Sequence, residues 1–238
     1  MRDVITIPLH GEESLIIATD NSGSIGRKEQ DQVKVSYETV AYYSFRVAVM
    51  ECIAAGGKPF SVVLHNFCGN DAWGELVKGI KKGLKELNLQ DVPITGSTES
   101  NFHLQQSAIG VVVLGKKQAD KETELHYSPR FKLAVIGSPL VGNEVVDFGD
   151  QVAPLSIFWE VSSLRQVNIW PVGSKGILNE LNQMFRTLSF AKDDIGINLD
   201  VLKSSGPSTC FIVVFEQDQE EEIKSLAAGY FHPLSVNR

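Results

Sequence analysis

The chain is short of cysteine, of long apolar runs and of positive charge, and each shortage removes a class of answers. Its three cysteines, Cys52, Cys68 and Cys210, are widely spaced, with no CxxC pair and no Cys/His cluster of the kind that binds zinc. Each reads as a small buried apolar residue. The longest apolar runs, VVVL at 111–114 and FIVVF at 211–215, fall far below the roughly 18 residues that a membrane span needs, and MRDVITIP has no signal-peptide core. No membrane span and a cytoplasmic location are the expectation. A formal net charge of −7 argues against nonspecific nucleic-acid binding, which needs a basic surface to neutralise phosphates. A small phosphate compound stays open, held by a local basic patch or through a metal ion.

Against these shortages stands 43% hydrophobic content in 238 residues, enough for one large domain or two small ones at roughly 100–200 residues each. Period-2 and continuous apolar runs alternate with helical patterns, which predicts a mixed α and β architecture in layers. VITIPL (4–9) and SLIIATD (14–20) read as strands. SYETVAYYSFRVAVMECIAAGG reads as a helix capped by Ser36 and stopped at Gly56-Gly57. That helix is apolar almost all round, so its Arg46 and Glu51 require partners or a watery cleft. KPFSVVLHNF (58–67) is a further strand. The helix over 71–88 sets Ala72, Leu76, Ile80, Leu84 and Leu87 in one stripe with four lysines elsewhere. DVPITGSTESNF predicts a short strand and polar loop, and SAIGVVVLGKK a long strand.

QADKETELHYSPR (118–130) is the least apolar stretch, and places a domain boundary near 128, giving domains 1–127 and 128–238. Beyond it come a strand (FKLAVIGS), a helical stretch through 154–164, a strand-to-helix turn at NIWPVGSKGILNELNQMF, the strand STCFIVVFE and a last helix, QDQEEEIKSLAAGYF. The acidic residues from Glu216 to Glu222 suit the first turn of that helix better than a binding tail.

In ATDNSGSIG (18–26) a carboxylate stands where a buried strand ends, followed by glycines and hydroxyls. Asp20 there is either a metal ligand aimed into a cleft or the acceptor of an Asx-turn that bonds its own following backbone. The order ESLIIATDNSGSIG, RVAVMECIAAGGKPFSVVLHN, VPITGSTESNF and AIGVVVLG, followed by LAVIGSPLVGNEVV, PVGSKGILNEL and STCFIVVFEQDQEEEIKSLA, resembles the PurM-like (aminoimidazole ribonucleotide synthetase-related) superfamily over nearly the whole chain. Each motif is a common word alone; order and spacing carry the likeness. The resemblance implies an α+β fold in two domains: an N-terminal mixed sheet or half-barrel with helices that forms a homodimer, and a C-terminal α/β sandwich. It also implies ATP and Mg²⁺ in a cleft, and transfer of the γ-phosphate.

Such transfer is mainly positioning and charge neutralisation, so carboxylates for Mg²⁺ and cations or N–H groups for phosphates are the parts to find. Asp20 matches the superfamily's Thr-Asp aspartate, with Asn21, Ser22, Gly23 and Ser24 beside it as nucleotide contacts. Glu51 stands where many members carry an aspartate; the alternative is an internal salt bridge, for which Arg46 is poorly spaced. In Gly96-Ser97-Thr98-Glu99-Ser100 the chain departs from the usual Gly-Gly-acid pattern: Thr98 takes the ligand position and Glu99 follows, so either Glu99 replaces the ligand or Thr98 contacts the metal weakly. An ordinary polar turn is the alternative. Lys28 resembles the lysine that follows the synthetase's Asp-Gly-x-Gly run, and Lys175 stands in a glycine-containing turn before a helix, where an anion can bind. Each is equally read as a surface or loop residue. His65 and Asn66 end a strand on the cleft side. Tyr42, Tyr43, Phe67, Phe102 and Trp170 are available to stack on a flat base or to fill the core.

The chain is shorter than typical relatives, and it has neither the glycine-rich or Asp-Asp-Ala-type N-terminal segment nor the catalytic Cys or Lys of the selenophosphate enzymes. Phosphorylation of a hydroxyl on a riboside or vitamin precursor fits this equipment, α-ribazole kinase of cobamide salvage most of all. A thiamine-monophosphate kinase-like enzyme and a catalytically silent ATP-binding module are the alternatives.

Overall fold

A computed structural model describes residues 4–118 and 125–237, which form two compact α+β units on either side of 119–124. Residues 119–124, part of the segment read as the seam, lie outside the described residues.

The first unit runs β1 (Val4–Pro8), β2 (Glu13–Gly23), β3 (Ile25–Gly26), β4 (Val33–Lys34), α1 (Tyr37–Ala54), β5 (Lys58–Asn66), α2 (Trp73–Glu86), β6 (Ile94–Thr98) and β7 (Ala108–Gln118). Five strands make a mixed sheet in the order β1-β2-β7-β5-β6, antiparallel except for the β5–β6 pair. Alternation decides its faces. Ile16 and Ala18 of β2, Val62 and Leu64 of β5, and Ile109, Val111 and Val113 of β7 are buried toward the helices.

The Ser36 side chain accepts the Thr39 N–H and starts α1 as the sequence predicts. With ten buried residues spread around its circumference, α1 packs on β2 and β7 and also against α2. The α1–α2 crossing is close enough that a Cβ at Gly79 would run into the Glu38 carbonyl oxygen and lie 2.9 Å from the Tyr42 nitrogen. Gly79→Ala is therefore expected to destabilise the chain by about 1–3 kcal/mol through overpacking, read as a lower urea midpoint with an unchanged slope.

The second unit runs β8 (Phe131–Ile136), α3 (Glu144–Asp147), α4 (Leu155–Ser162), β9 (Asn168–Pro171), α5 (Gly176–Met184), β10 (Ile195–Gly196), β11 (Phe211–Glu216), α6 (Glu220–Ala227) and β12 (Phe231–Val236). Its sheet, β10-β12-β8-β11-β9, is antiparallel throughout. Ile177, Leu181 and Met184 of α5 cover Leu133, Val135, Ile212 and Val214 on one face. On the other, Phe158 of α4 meets Phe211 edge-on at 5.0 Å.

Three sequence expectations change. The strand does not end at Asp20: β2 continues through Asn21 and Ser22 to Gly23, eleven residues in register with β7, and turns only at Ser24, whose φ is 61°. The last helix stops at Ala227, because Ala228 takes φ 47°, and residues 231–236 form the unanticipated strand β12. The short helix α3 was not foreseen either.

Candidate functional site

Asp20 lies within β2, paired with Val111, three residues before the strand ends rather than at its tip. Its side chain shares the parity of Ile16 and Ala18 and so faces α1, where the buried Ser44 hydroxyl donates to it and the Asn21 N–H adds a second bond. Burial outweighs both bonds and pushes its pKa from 3.8 up to about 7. Among the described residues no lysine, arginine or histidine pairs with it. A desolvated carboxyl with neutral donors and no cation is a site where a cation would be strongly favoured.

The next rung toward the strand ends carries Ser22, Ile109, Asn66 and Thr98 on the same face. Asn66 is buried and fully engaged: its amide donates to the Gly69 carbonyl at 2.9 Å and to Thr98 Oγ1 at 3.0 Å, and its oxygen accepts the Cys68 N–H at 2.8 Å. Thr98 thereby keeps its own hydroxyl proton for another acceptor. Gly96 is glycine for a packing reason, since a Cβ there would collide with the Leu64 carbonyl across the parallel pair. Ser97 alternates to the open face and is exposed.

The other predicted carboxylates are elsewhere. Glu51 is seven residues beyond Ser44, about 10 Å along α1, beside Cys52, which packs on Gly57 and Gly115. Glu99 folds back on its own loop, where its Oε1 accepts the Asn101 N–H at 2.6 Å and the Phe102 N–H at 3.2 Å. Three interstrand steps separate β2 from β6, about 14 Å. Among the described residues no three His, Cys, Asp or Glu side chains converge as a metal site. Asp20, Glu51 and Glu99 are thus not brought together.

Lys28 is committed to backbone: its ammonium donates to the carbonyls of Phe67 at 3.0 Å and Leu104 at 2.9 Å, tying together the loops that follow β5 and precede β7. Beneath it lies a group the sequence reading missed. Asp31 is buried and accepts the Ser107 N–H at 2.7 Å, the Ser107 hydroxyl at 2.6 Å and the Lys28 N–H at 2.8 Å. Burial alone would raise its pKa, but these bonds, with the Lys34 ammonium nearby, hold it below the usual carboxylate value. Ser24 joins the same knot through its N–H to the Ser107 carbonyl at 2.8 Å. Asp31 stands in the polar run EQDQ, where no local pattern marks it; Ser44 sits hidden in an apolar helix.

In the second unit Lys175 is exposed at the N-cap of α5. Trp170 donates to Glu180 at 2.8 Å and packs on that unit's core. Tyr42 and Tyr43 meet edge-on at 5.1 Å, and the Tyr42 hydroxyl donates to Glu86. Of the candidate stacking rings only Phe67 (39% exposed) and Phe102 (77%) are open to solvent.

No family model matches this sequence, and no curated protein matches it significantly. Solved structures do. A protein designated tt0281 from Thermus thermophilus superposes with a TM-score of 0.62 at 16% identity, covering 98% of this chain and 84% of that one. Thermotoga maritima PurL complexed with ATP gives 0.60 at 14% identity, over 97% of this chain and 41% of that one. HypE, solved in a HypE–HypF complex, gives 0.59 at 14%, over 97% and 87%. The chain spans about two fifths of PurL. At these identities the likeness shows the fold, and that fold is the PurM-like one.

Proposed function

We propose that the chain is an ATP-dependent phosphotransferase that moves the γ-phosphate to a hydroxyl of a small molecule, with α-ribazole as the acceptor. The observation that carries this is Asp20, a carboxyl driven up to about 7 by burial with no cation paired to it among the described residues, on a fold whose PurL neighbours were solved with ATP, ADP and AMPPCP. Its donor set suits Mg²⁺, which takes hard oxygen ligands, keeps several waters, and commonly rests on one or two carboxylates plus substrate phosphates. Asp20 would hold that ion, with the Ser44 hydroxyl bonded to its carboxyl and Ser22 two residues along on the same face of β2. The bound metal would neutralise charge developing on the phosphates.

The chain's own parts do the rest. Asn21, Ser22, Gly23, Ser24, Gly96, Ser97 and Thr98 are proposed as nucleotide contacts at the strand ends. Lys28 serves by fixing the loops around them, and Glu99 by shaping the loop after β6. Glu51 remains a proposed acidic contact further along α1, and Lys175 a proposed phosphate contact of a second domain beginning at 128. The open face of the first sheet is apolar at its β1 end, with Ile5 62% and Ile7 41% exposed, and supports a homodimer formed through these strands.

The test is incubation with γ-labelled ATP, Mg²⁺ and α-ribazole, with thiamine monophosphate in parallel. Label on α-ribazole is expected; label on the thiamine compound alone replaces the acceptor and keeps the chemistry. A silent ATP-binding module is the second reading, favoured by the lack of a three-residue acidic cluster among the described residues. It predicts binding of a nonhydrolysable ATP analogue without transfer to either acceptor. Failure to bind nucleotide overturns both.

A further inference from the structure

The second sheet is covered unevenly on the side opposite α5. There Phe211 and Val213 of β11 and Ala134 and Ile136 of β8 are fully buried, with Phe158 of α4 against Phe211. Toward the β12 edge the cover stops. Pro233 and Ser235 of β12 and Lys132 of β8 share that face by parity and are exposed, and α6 stands beside them at Glu220. Together they bound a cavity of about 380 Å³, at the lower end of the roughly 300–1,000 Å³ typical of small-molecule sites.

The register builds this cavity. Gly196 pairs with Ser235, and Phe215 with Lys132. The β12–β8 pairing runs from Phe231–Ile136 to Leu234–Leu133, so its next step brings Ser235 beside Lys132 and completes one rung across four strands. Pro233 and Phe231 follow at two-residue steps along β12 and give the floor its apolar part. Phe231 is half-buried against the Phe215 ring, centroids 6.5 Å apart, and the Lys224 ammonium lies 5.9 Å from its centre. Gly196 is glycine because a Cβ there would run into Ser235 Oγ, which places that hydroxyl at the β10 end of the hollow.

The charges around it are unequally engaged. Glu220 is satisfied: Oε1 meets Lys224 at 2.8 Å and Oε2 accepts the Gln217 amide at 3.0 Å. The Lys224 bond above all, with the Lys132 charge adding to it, holds that carboxyl below its usual value. Lys224 is shared between Glu220 and Glu221. Lys132, by contrast, has no ion pair among the described residues. The Ser235 hydroxyl donates to the Gly196 carbonyl at 3.3 Å, a long bond that a better acceptor would replace.

We propose that this cavity binds a small monocarboxylate with an apolar body, its carboxylate on the Lys132 ammonium and the Ser235 hydroxyl and its hydrocarbon on Pro233 and Phe231. Charge balance selects the class. One ammonium is open while the ionised Glu220 lies close by, so a single negative charge is matched and the second charge of a phosphate is repelled. The site lies on the face of the second sheet opposite α5, which Lys175 begins, and needs neither nucleotide nor metal. It therefore goes beyond the phosphotransfer reading and fails separately from it.

The probes are phenylbutyrate and its uncharged counterpart phenylbutanol, titrated into the full chain without ATP or Mg²⁺ and followed by the backbone amide resonances of Lys132, Gly196 and Ser235. The acid should shift these signals saturably and bind more tightly than the alcohol. Lys132→Met keeps the length of the side chain and removes its charge; it should weaken the acid at least about fivefold, the size of one exposed charge pair, and leave the alcohol unchanged. Ser235→Phe, which fills the β10 end with a ring that suits a strand, should weaken both. Both positions are exposed, so the variants are expected to fold. Unmoved amides with the acid, or equal affinity of the wild type and Lys132→Met for it, overturn the proposal. Inorganic phosphate that shifts the same amides as tightly as the acid overturns it too, because the cavity then reads charge and not an apolar carboxylate.

Discussion

Asp20→Asn should raise the melting temperature near pH 8 while cutting phosphotransfer by at least about a hundredfold, the size expected when charge stabilisation of a phosphoryl transition state is lost. The two effects share one cause. A carboxyl whose pKa rises from 3.8 when unfolded to about 7 when folded keeps its proton longer in the native state. Stability therefore falls as pH climbs from about 4 to about 7, and the full cost of holding the ionised group is present above that range. The asparagine removes that cost, a gain of about 1–3 kcal/mol once residual solvent screening is allowed for. Near pH 4, where the wild-type carboxyl is protonated in the folded chain, the gain should vanish. Mg²⁺-ATP should stabilise the wild type by mass action and the variant far less. An Asp20 that merely closed its own turn would give the opposite result, with the substitution neutral or destabilising at every pH and activity intact.

The same residue shows how far sequence carries. That a carboxylate follows an apolar strand is visible in ATD, and the order of motifs is enough to anticipate the fold. The strand's continuation through DNSG is not visible, because Asn, Ser and Gly are turn formers by local preference. Here eleven consecutive pairings with β7 override that preference, a tertiary effect with no local trace. β12 was obscured for a related reason. Pro233 demotes FHPLSV as a strand, and the pairing of Phe231–Leu234 with β8 and of Ser235–Val236 with β10 makes it one. Lys28 was legible as a cation near the loop, but its destination was not: the two carbonyls it bridges are 39 and 76 residues away.

Asp31→Ala is the second large effect, and it separates scaffold from chemistry. The carboxylate answers three donors: both groups of Ser107, and the Lys28 N–H. Its removal leaves the buried Ser107 N–H, the part-buried Lys28 N–H and a hydroxyl to find new partners, a loss of about 3–5 kcal/mol. Asp31→Asn should be nearly as damaging, because an amide accepts on one oxygen and turns its NH₂ toward a donor. Ser107→Ala removes the hydroxyl's bond to Asp31 and its 3.3 Å contact with the Tyr37 hydroxyl, leaves the Ser107 N–H bond in place, and should cost about 1–2 kcal/mol. The pH dependence runs opposite to that of Asp20. With its folded pKa held below the unfolded value of 3.8, Asp31 contributes stability that is complete above that value and lost as pH falls through the lowered one. Acid denaturation of the wild type should therefore steepen below about pH 4, and the Asp31→Ala chain, lower in stability at neutral pH, should lack that limb. Urea titrations from neutral to acid pH would show it. Because this knot fixes the loops through which Lys28 reaches Phe67 and Leu104, a folded Asp31→Asn chain should also bind nucleotide more weakly while Asp20 keeps its raised pKa. Loss of that raised pKa in the variant would mean that the two carboxyls are not independent, and that the strand ends move as one body.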